Sequence, residues 1–407
     1  MGLIQRSCIR SIHGLLASHR LVLVEGPPRS GRSTIAAQVA AGAPGGGRLV
    51  DARKPEGRAV LADPASASAA RLIVVDGAGR REAERVAAGL SAFGDAGRSP
   101  RFALIGGPFG RTAAGRTTEG REASALDAPI ISVGPLSLFE TGSASMRRLW
   151  LRGGLPEAFM AASDQAALAW LRDYAAGLAG GSLSAWGLPR DAAFVAGLLE
   201  GLAASSGRAF NENAAARALG VSRPTIGRAV AAVERAGLLF RVPAWPTRDD
   251  MSRDDMSRDD IPRGGGSTGA ARVLRSPALH VTDSGLLHAL NGSTPTLEAA
   301  ATAASWTAFA LAQAIAALPS GASAFRYASA DGAALELVVA VGGKPVVAAA
   351  IRRHRPGSAE RAVSYAARAV GAPERYIVVP DGGDARLPGG FVVTGLRAFI
   401  ERLAAVT

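Results

Sequence analysis

The chain has 407 residues, length for two or three domains, and its 48% hydrophobic content is ample for their cores although only 5% is aromatic. Its formal charge of +12 is carried almost wholly by arginine, because Lys54 and Lys344 are the only lysines; this balance fits a polyanion partner, nucleic acid or nucleotide, and equally a bias toward arginine in composition. No apolar run of about 20 residues free of charge occurs, so no membrane-spanning helix is expected, and the single cysteine, Cys8, excludes an intrachain disulfide and fits a reducing cytoplasm.

Met1 to Arg20 carries Arg6 and Arg10 without a long apolar core ahead of a small-residue cleavage site, so no secretory signal is expected. The next third alternates apolar runs with helix-forming segments, as a parallel α/β sheet requires. Strands are expected at Leu21–Val24, Arg48–Asp51, Leu72–Asp76, Phe102–Ile105 and Ile130–Val133, with helices at Thr34–Ala41 and Arg81–Ser91. From about Met146 to Gly237 the pattern is helical. It ends in a short helix after Asn211, a Gly220-Val221-Ser222 turn, a second helix starting near Pro224 and a strand Leu238–Val242, the order of a winged helix-turn-helix. Ser222 is the expected N-cap of the second helix, and Pro224 falls in its first turn. Arg223 and Arg228 on that helix are the candidate nucleic-acid contacts, although such a fold does not by itself assign DNA binding. Residues 247–269, with their Arg-Asp-Asp-Met-Ser repeats and Gly264-Gly265-Gly266, are expected to form a disordered wing loop. The final third reads as helix Ala301–Ala317, strands Phe325–Ala328, Ala334–Val341 and Pro345–Ile351, helix Ser358–Val370 and strand Tyr376–Val379, a small α/β domain with a central hairpin.

The stretch Leu21-Val-Leu-Val-Glu-Gly-Pro-Pro-Arg-Ser-Gly-Arg-Ser-Thr34 carries the most chemistry. Gly26, Gly31, Arg32 and Ser33 have the G-x-x-x-x-G-K-[ST] spacing of a phosphate-binding loop, with arginine where lysine is usual. A buried strand delivers a loop whose backbone N–H groups curl around an anion, and the following helix points its positive end at the same place. Arginine is no neutral exchange there, since its planar fork is longer and shaped differently from an ammonium. Histidines 280 and 288 are expected as ordinary core or surface residues, and His13, His19 and His354 lack metal-ligand spacing.

Taken together, these segments resemble one family: prokaryotic ATP-binding proteins with an AAA-type domain, a winged-helix segment and a C-terminal domain of unknown function like PD-(D/E)XK nucleases. Its carriers are the loop Gly26 to Ser33, the apolar run into Asp76, Pro135-Leu-Ser-Leu-Phe-Glu140, Leu151-Arg-Gly-Gly-Leu-Pro-Glu157, Trp170-Leu-Arg-Asp-Tyr174, the Gly220 turn and Val281-Thr-Asp-Ser-Gly-Leu286. The resemblance implies a P-loop AAA-type domain over 1–142, a helical and winged-helix region over 143–292 and a nuclease-like domain over 293–407. It implies ATP and Mg²⁺ as ligands. The nucleotide would lie on Gly26, Pro27, Pro28, Arg29, Ser30, Gly31, Arg32, Ser33 and Thr34, with Arg32 neutralising charge and Ser33 and Asp76 holding the metal.

The departures from the family pattern bear on chemistry. Relatives follow the strand-end aspartate with a glutamate that polarises the attacking water; here Gly77 follows Asp76. A polar sensor residue is expected after Phe102–Ile105, where Gly106-Gly107-Pro108 stands, and an arginine finger is left open between Gly115-Arg116 and Gly120-Arg121. In the C-terminal domain the metal-binding pattern is reduced to Ala334, Glu336, Ala350 and Arg352, which do not build a metal site, so DNA cleavage is not expected. Single electrostatic groups of this kind are worth about 2.7–4 kcal/mol of transition-state stabilisation. The expected function is therefore ATP binding with weak or absent hydrolysis, nucleotide ordering the α/β domain against the winged-helix segment; no residue is assigned a catalytic role. The alternative is a non-enzymatic scaffold that binds DNA or a protein and has lost nucleotide. Either would be cytoplasmic and of undetermined oligomeric state.

Overall fold

The computed structural model describes residues 4–64, 71–92, 100–109, 122–123, 126, 128–189, 191–246, 273–292 and 295–406. The chain divides into two units, the first formed by Met1–Ala203, Glu212–Leu239 and Val281–Ala301, the second by Ala204–Asn211, Phe240–His280 and Thr302–Thr407.

The first unit opens with α1 (Cys8–Ser18), β1 (Leu21–Glu25), α2 (Arg32–Ala41), β2 (Arg48–Asp51), α3 (Pro55–Ala62), β3 (Leu72–Ala78), α4 (Arg80–Ala92), β4 (Arg101–Gly106), β5 (Glu122–Ala123) and β6 (Pro129–Ser132). The sheet order is β2-β3-β4-β1-β6-β5. β1 pairs in parallel with both β4 and β6, β3 pairs in parallel with β2 and β4, and β5 is the antiparallel addition. Every residue of β1 is buried, as a strand covered on both faces must be. Alternation sorts the side chains: Leu21, Leu23, Ile73, Val75, Phe102 and Leu104 pack with Val60 and Leu61 of α3 and Val86 of α4. Val22, Val24, Val74, Ala103 and Ile105 face Ile9 and Ile12 of α1 and Ile35 and Val39 of α2. The chain leaves β1 for the far edge of the sheet and returns after β4 to its other side as β6. The C-terminal end of β1 thus lies where the winding changes direction, the place at which open α/β sheets hold ligands.

The helical stretch expected from Met146 onward is present. After α5 (Leu138–Thr141), which precedes it, it comprises α6 (Met146–Arg152), α7 (Pro156–Phe159), α8 (Asp164–Gly177), α9 (Ala192–Ala204), α10 (Glu212–Ala218) and α11 (Arg223–Arg235). A turn through Gly220 (φ +67) joins α10 to α11, and Ser222 caps α11 as expected, its Oγ accepting the Thr225 N–H at 3.3 Å. A further helix, Ser284–Leu290, belongs to the same unit. None of the helices among the described residues is long and apolar enough to cross a membrane.

The second unit holds β9 (Ala322–Ala328), β10 (Ala334–Val341), β11 (Lys344–Ile351), β12 (Glu374–Val379), β13 (Ala385–Leu387) and β14 (Phe391–Gly395) after the paired strands β7 (Leu239–Val242) and β8 (Ala278–Val281). Its order is β13-β14-β12-β11-β10-β9, with the expected central hairpin β10–β11 antiparallel and β11, β12 and β14 parallel. The helix expected over 301–317 instead begins at Ala303. Thr302 and Ser305 form a reciprocal capping box that starts it afresh (Ser305 N–H to Thr302 Oγ1 3.2 Å; Thr302 N–H to Ser305 Oγ 3.1 Å). β13, β14 and the helix Leu396–Leu403 have no counterpart in the sequence reading; strands of three and five residues around Pro388-Gly389-Gly390 give little periodicity to detect, whereas the helix carried a plain apolar pattern in Leu396, Phe399, Ile400 and Leu403 that was passed over.

His280 of β8 is a core residue, as the sequence suggested. It is buried, its ring stacks on Phe240 (centroids 5.0 Å, planes 11° apart), and burial, with Arg326 adding to it, pulls its pKa down to about 4. The folded protein therefore holds His280 neutral where the unfolded chain would protonate it, so stability is lost as pH falls from about 6.5 toward 4, by roughly 3 kcal/mol in all. Urea unfolding of His280→Phe, which keeps a ring against Phe240, is expected to show a flatter stability profile over that interval than the parent chain; an unchanged slope would refute this assignment.

Candidate functional site

The loop after β1 has the shape its glycines demand. A Cβ on Gly26 would lie 2.3 Å from the Val133 carbonyl oxygen, so only glycine lets β1 leave the sheet beside the end of β6. Gly31, at φ +84, is the N-cap of α2, and the Ile35 N–H returns to its carbonyl at 3.0 Å. No side chain caps this helix and its first turn carries no acidic residue. Its positive end is therefore left for an outside anion. Arg29 holds a left-handed conformation (φ +63) that a non-glycine residue adopts at a cost. The Ser30 hydroxyl is buried with no hydrogen-bond partner among the described residues, while Ser33 and Thr34 are exposed.

The back of the loop is fixed by Arg6, which the sequence reading weighed only as N-terminal charge. The Arg6 side chain is 6% exposed and uses all three nitrogens: Nη1 donates to the Ser30 carbonyl (2.8 Å), Nη2 to the Gly134 carbonyl (2.8 Å) and Nε to Glu140 Oε1 (3.0 Å). Because the peptide group is planar and trans, turning the Ser30 C=O backward turns the Gly31 N–H forward. Glu140 also accepts the Ser7 and Ser137 N–H groups, both at 2.8 Å. Burial works to raise the Glu140 carboxyl, but Arg6 and these amides outweigh it and hold it below its ordinary range.

Three other sequence carriers converge on the same loop. Tyr174 donates to the Pro28 carbonyl (2.8 Å) with its ring stacked on Trp170. Pro156 lies where a Cβ on Gly31 would come within 3.3 Å, and Arg29 pairs with Glu157 (3.3 Å) across solvent. Asp283, fully buried, accepts the N–H groups of Gly154 (2.7 Å), Leu155 (3.2 Å) and Leu286 (2.8 Å), tying this segment to the helix Ser284–Leu290. Burial pushes its carboxyl up, against those amides, which favour the anion. His288 is likewise a core residue, its Nδ1 3.0 Å from the Leu151 carbonyl. Finally, Gly237, just past the end of α11, sits where a Cβ would be 3.1 Å from Pro27, so α11 ends against the loop.

The front of the site is the C-terminal edge of the sheet. Arg32 Nη1 donates to the Gly106 carbonyl at the end of β4 (2.5 Å). Burial lowers its guanidinium from the ordinary range, opposed first by Asp76 and also by Glu25. Asp76 is half-buried on β3. Gly77 next to it is a bulge at φ +77, and a Cβ there would meet Arg53 Nε at 3.3 Å. Arg53 in turn grips Asp51 through two parallel bonds of 2.8 Å, which hold the Asp51 carboxyl down at about 2. Gly106 and Gly107 are glycine for steric reasons: a Cβ on the first would strike the Ala78 carbonyl at 2.0 Å, and one on the second would lie 2.8 Å from Glu25 Cβ. Glu25, buried at the end of β1, accepts the Phe109 N–H on Oε2 (3.1 Å). The sequence reading assigned it nothing, although an acid closing the run Leu-Val-Leu-Val was a visible signal.

Elsewhere the predicted residues are engaged with one another. Arg223 is exposed and donates to Glu212 (3.2 Å), and the exposed Arg228 reaches Thr225 Oγ1 (3.4 Å). Just past the end of β11, Arg352 Nη1 donates to both oxygens of Glu336 on β10 (3.1 and 3.2 Å) and Nε to Glu360 (3.1 Å). Ala334 and Ala350 contribute no ligand atoms, and no group of three His, Cys, Asp or Glu suited to a metal occurs among the described residues. Gly115-Arg116, Gly120-Arg121 and the wing loop 247–269 lie outside the described residues.

Residues 143–258 match a family model described as a domain of unknown function (DUF8612). The chain is 29% identical over 339 residues to the uncharacterized protein Rv2008c of Mycobacterium tuberculosis and, at the same level, to Mb2031c of Mycobacterium bovis; the alignments cover 81% of this chain and 70% of each relative. Among solved structures, a Walker-type ATPase of Pyrococcus abyssi is similar at 12% identity and a TM-score of 0.42, over 71% of this chain and 96% of that one. The RuvB Holliday junction branch migration motor of Thermotoga maritima is similar at 15% identity and a TM-score of 0.27, over 59% of this chain and 90% of that one. With TM-scores below 0.5, neither assigns an activity here.

The Arg6–Glu140 pair gives the geometry an energetic test. Removing one partner leaves the other charge buried, so Arg6→Ala is expected to cost about 3–5 kcal/mol in chemical unfolding. Arg6→Met combined with Glu140→Leu is expected to cost less than the two single changes added together. Additive losses would mean that the pair is not coupled.

Proposed function

We propose that this chain binds a nucleoside triphosphate on the loop Gly26–Thr34 and uses it to brace the end of α11. The observation that carries the reading is the bare N-terminus of α2. A left-handed glycine opens it, no side chain caps it, and it lies at the C-terminal end of a central parallel strand. Pro27 and Pro28 have no N–H, and the Ser30 N–H turns to the Pro27 carbonyl (3.3 Å). The donors for phosphate are then the amides of Gly31, Arg32, Ser33 and Thr34, joined by the orphaned Ser30 hydroxyl.

Ser33 and Asp76 fit Mg²⁺, which binds few protein oxygens and takes the rest from water and phosphate. When bound, the ion offsets the charge of the β- and γ-phosphates. Arg32 turns from the Gly106 carbonyl to the phosphates and supplies the charge that lysine gives in relatives. With glycine at 77 in place of the usual glutamate, turnover is slow and the bound state long-lived. Pro27 carries that state to Gly237 and α11, whose exposed Arg223 and Arg228 are the place for a polyanionic or protein partner. On this reading residues 1–142 serve as the nucleotide domain, and the protein works in the cytoplasm.

Titration of a fluorescent ATP analogue into the purified chain is expected to show saturable binding that strengthens with Mg²⁺. Gly31→Asp places a carboxylate on the N-cap, where it both competes for the amides and repels phosphate, and is expected to weaken binding at least tenfold. Absence of binding by the parent chain at millimolar nucleotide would overturn the reading.

A further inference from the structure

The bulge at Gly77 removes the acid that relatives place there, yet a second acid stands on the same edge of the sheet. Glu25 is in register with Gly106 of β4 and Ser132 of β6, one residue beyond the level of Val24, Ile105 and Asp76. Alternation puts it on the face of Leu21 and Leu23, opposite the α2 face that Asp76 shares with Val24. A residue directly after Asp76 in an unbroken strand would belong to that same opposite face. The glycines of β4 make the room: Gly107 has no Cβ where one would lie 2.8 Å from Glu25 Cβ and 3.3 Å from Oε2, with the Trp186 ring 3.4 Å away on the other side. Arg32, bound to Gly106 between them, interacts with both Asp76 and Glu25. Three neighbouring strand ends thus gather the arginine of the phosphate loop, the metal-side aspartate and a second, buried carboxylate anchored by the Phe109 amide.

We propose that Glu25 is the general base for nucleotide hydrolysis, standing in for the glutamate absent at position 77; this rests on the nucleotide reading above. Glu25 takes a proton from a water molecule as the water oxygen bonds to the γ-phosphorus. The bond from that phosphorus to the β–γ bridging oxygen breaks, its electron pair stays with the nucleoside diphosphate, and the proton held by Glu25 passes to solvent as inorganic phosphate departs.

The test is Glu25→Gln in the full chain, because a glutamine carbonyl can still accept the Phe109 N–H while it cannot take the proton. Melting temperature and fluorescent-ATP affinity are expected to stay near those of the parent, with affinity within about threefold. Single-turnover hydrolysis of Mg²⁺·ATP is expected to fall by roughly 100-fold, in the range that general bases contribute, and nucleotide extracted from the variant should remain triphosphate. Glu25→Asp, which keeps a carboxylate, should recover part of the rate. Unchanged turnover in Glu25→Gln overturns the inference, as does a parent chain that binds ATP without hydrolysing it. A loss of binding in Glu25→Gln equal to its loss of turnover would make the residue a support for the loop and also overturn it. A parent that binds no nucleotide at all fails in the first titration, and that result falls on the nucleotide reading itself.

Discussion

One buried guanidinium holds the loop between β1 and α2 from behind. Arginine cannot shed its charge in a protein interior, so each of its nitrogens must find an acceptor. Arg6 finds them on three segments that lie far apart along the chain: the loop itself at Ser30, the exit of β6 at Gly134, and α5 at Glu140. Any movement of the loop that breaks the Ser30 bond strands part of a buried cation. The resulting stiffness is directional. It pins the carbonyl side of the Ser30–Gly31 peptide and leaves the amide side committed to the front, where α2 begins. Pro27 and Pro28 stiffen the first half of the loop, and the Arg6 bond to the Ser30 carbonyl fixes the half that leads through Gly31 into α2.

A second buried charge does comparable work on the enclosing segment. Asp283 holds the amides of Gly154 and Leu155 while also capping its own helix at Leu286. The close approach depends on missing side chains. A Cβ on Gly153 would lie 2.0 Å from Asp283 Oδ1, and one on Gly285 would lie 2.1 Å from the Arg152 carbonyl. Through Pro156 and Glu157 this clamp reaches the tip of the loop, so two acidic side chains and one arginine hold the loop after β1 from outside it.

This division explains what was legible in the sequence. The strand, loop and α2 were readable because apolar runs and glycine spacing are local patterns, and the sheet strands fell within a few residues of their expected places. The helix Cys8–Ser18 carried an equally plain signal in Ile9, Ile12, Leu15 and Leu16, which a reading of the N-terminus as a possible leader passed over. The segments Pro135–Glu140 and Val281–Leu286 could be quoted as a pattern but not explained, because their meaning lies in contacts across more than a hundred residues, Arg6 with Glu140 and Asp283 with Gly154. Glu25 was hidden for a related reason. Its environment is assembled from Gly107, Phe109 and Arg32, and no spacing along the chain announces that three strand ends meet there.

The departures at Gly77, Gly106 and Gly107 then form a connected set. The bulge at Gly77 shifts the register of β3 against β4, so that Ala78 stands opposite Gly106, and the Ala78 carbonyl comes close enough that only glycine fits at 106. Beyond it, Gly107 yields its side-chain space to Glu25. Placing glutamate back at position 77 would ask a non-glycine residue to hold φ +77, at about 1–2 kcal/mol, with Arg53 already where its Cβ would point. The usual acid would strain the present backbone, whereas Gly107 is held to glycine by the close approach of Glu25. The amides at the start of α2 escape this exchange, because they belong to the main chain and survive any change of side chain that leaves Gly31 and the Arg6 anchor in place.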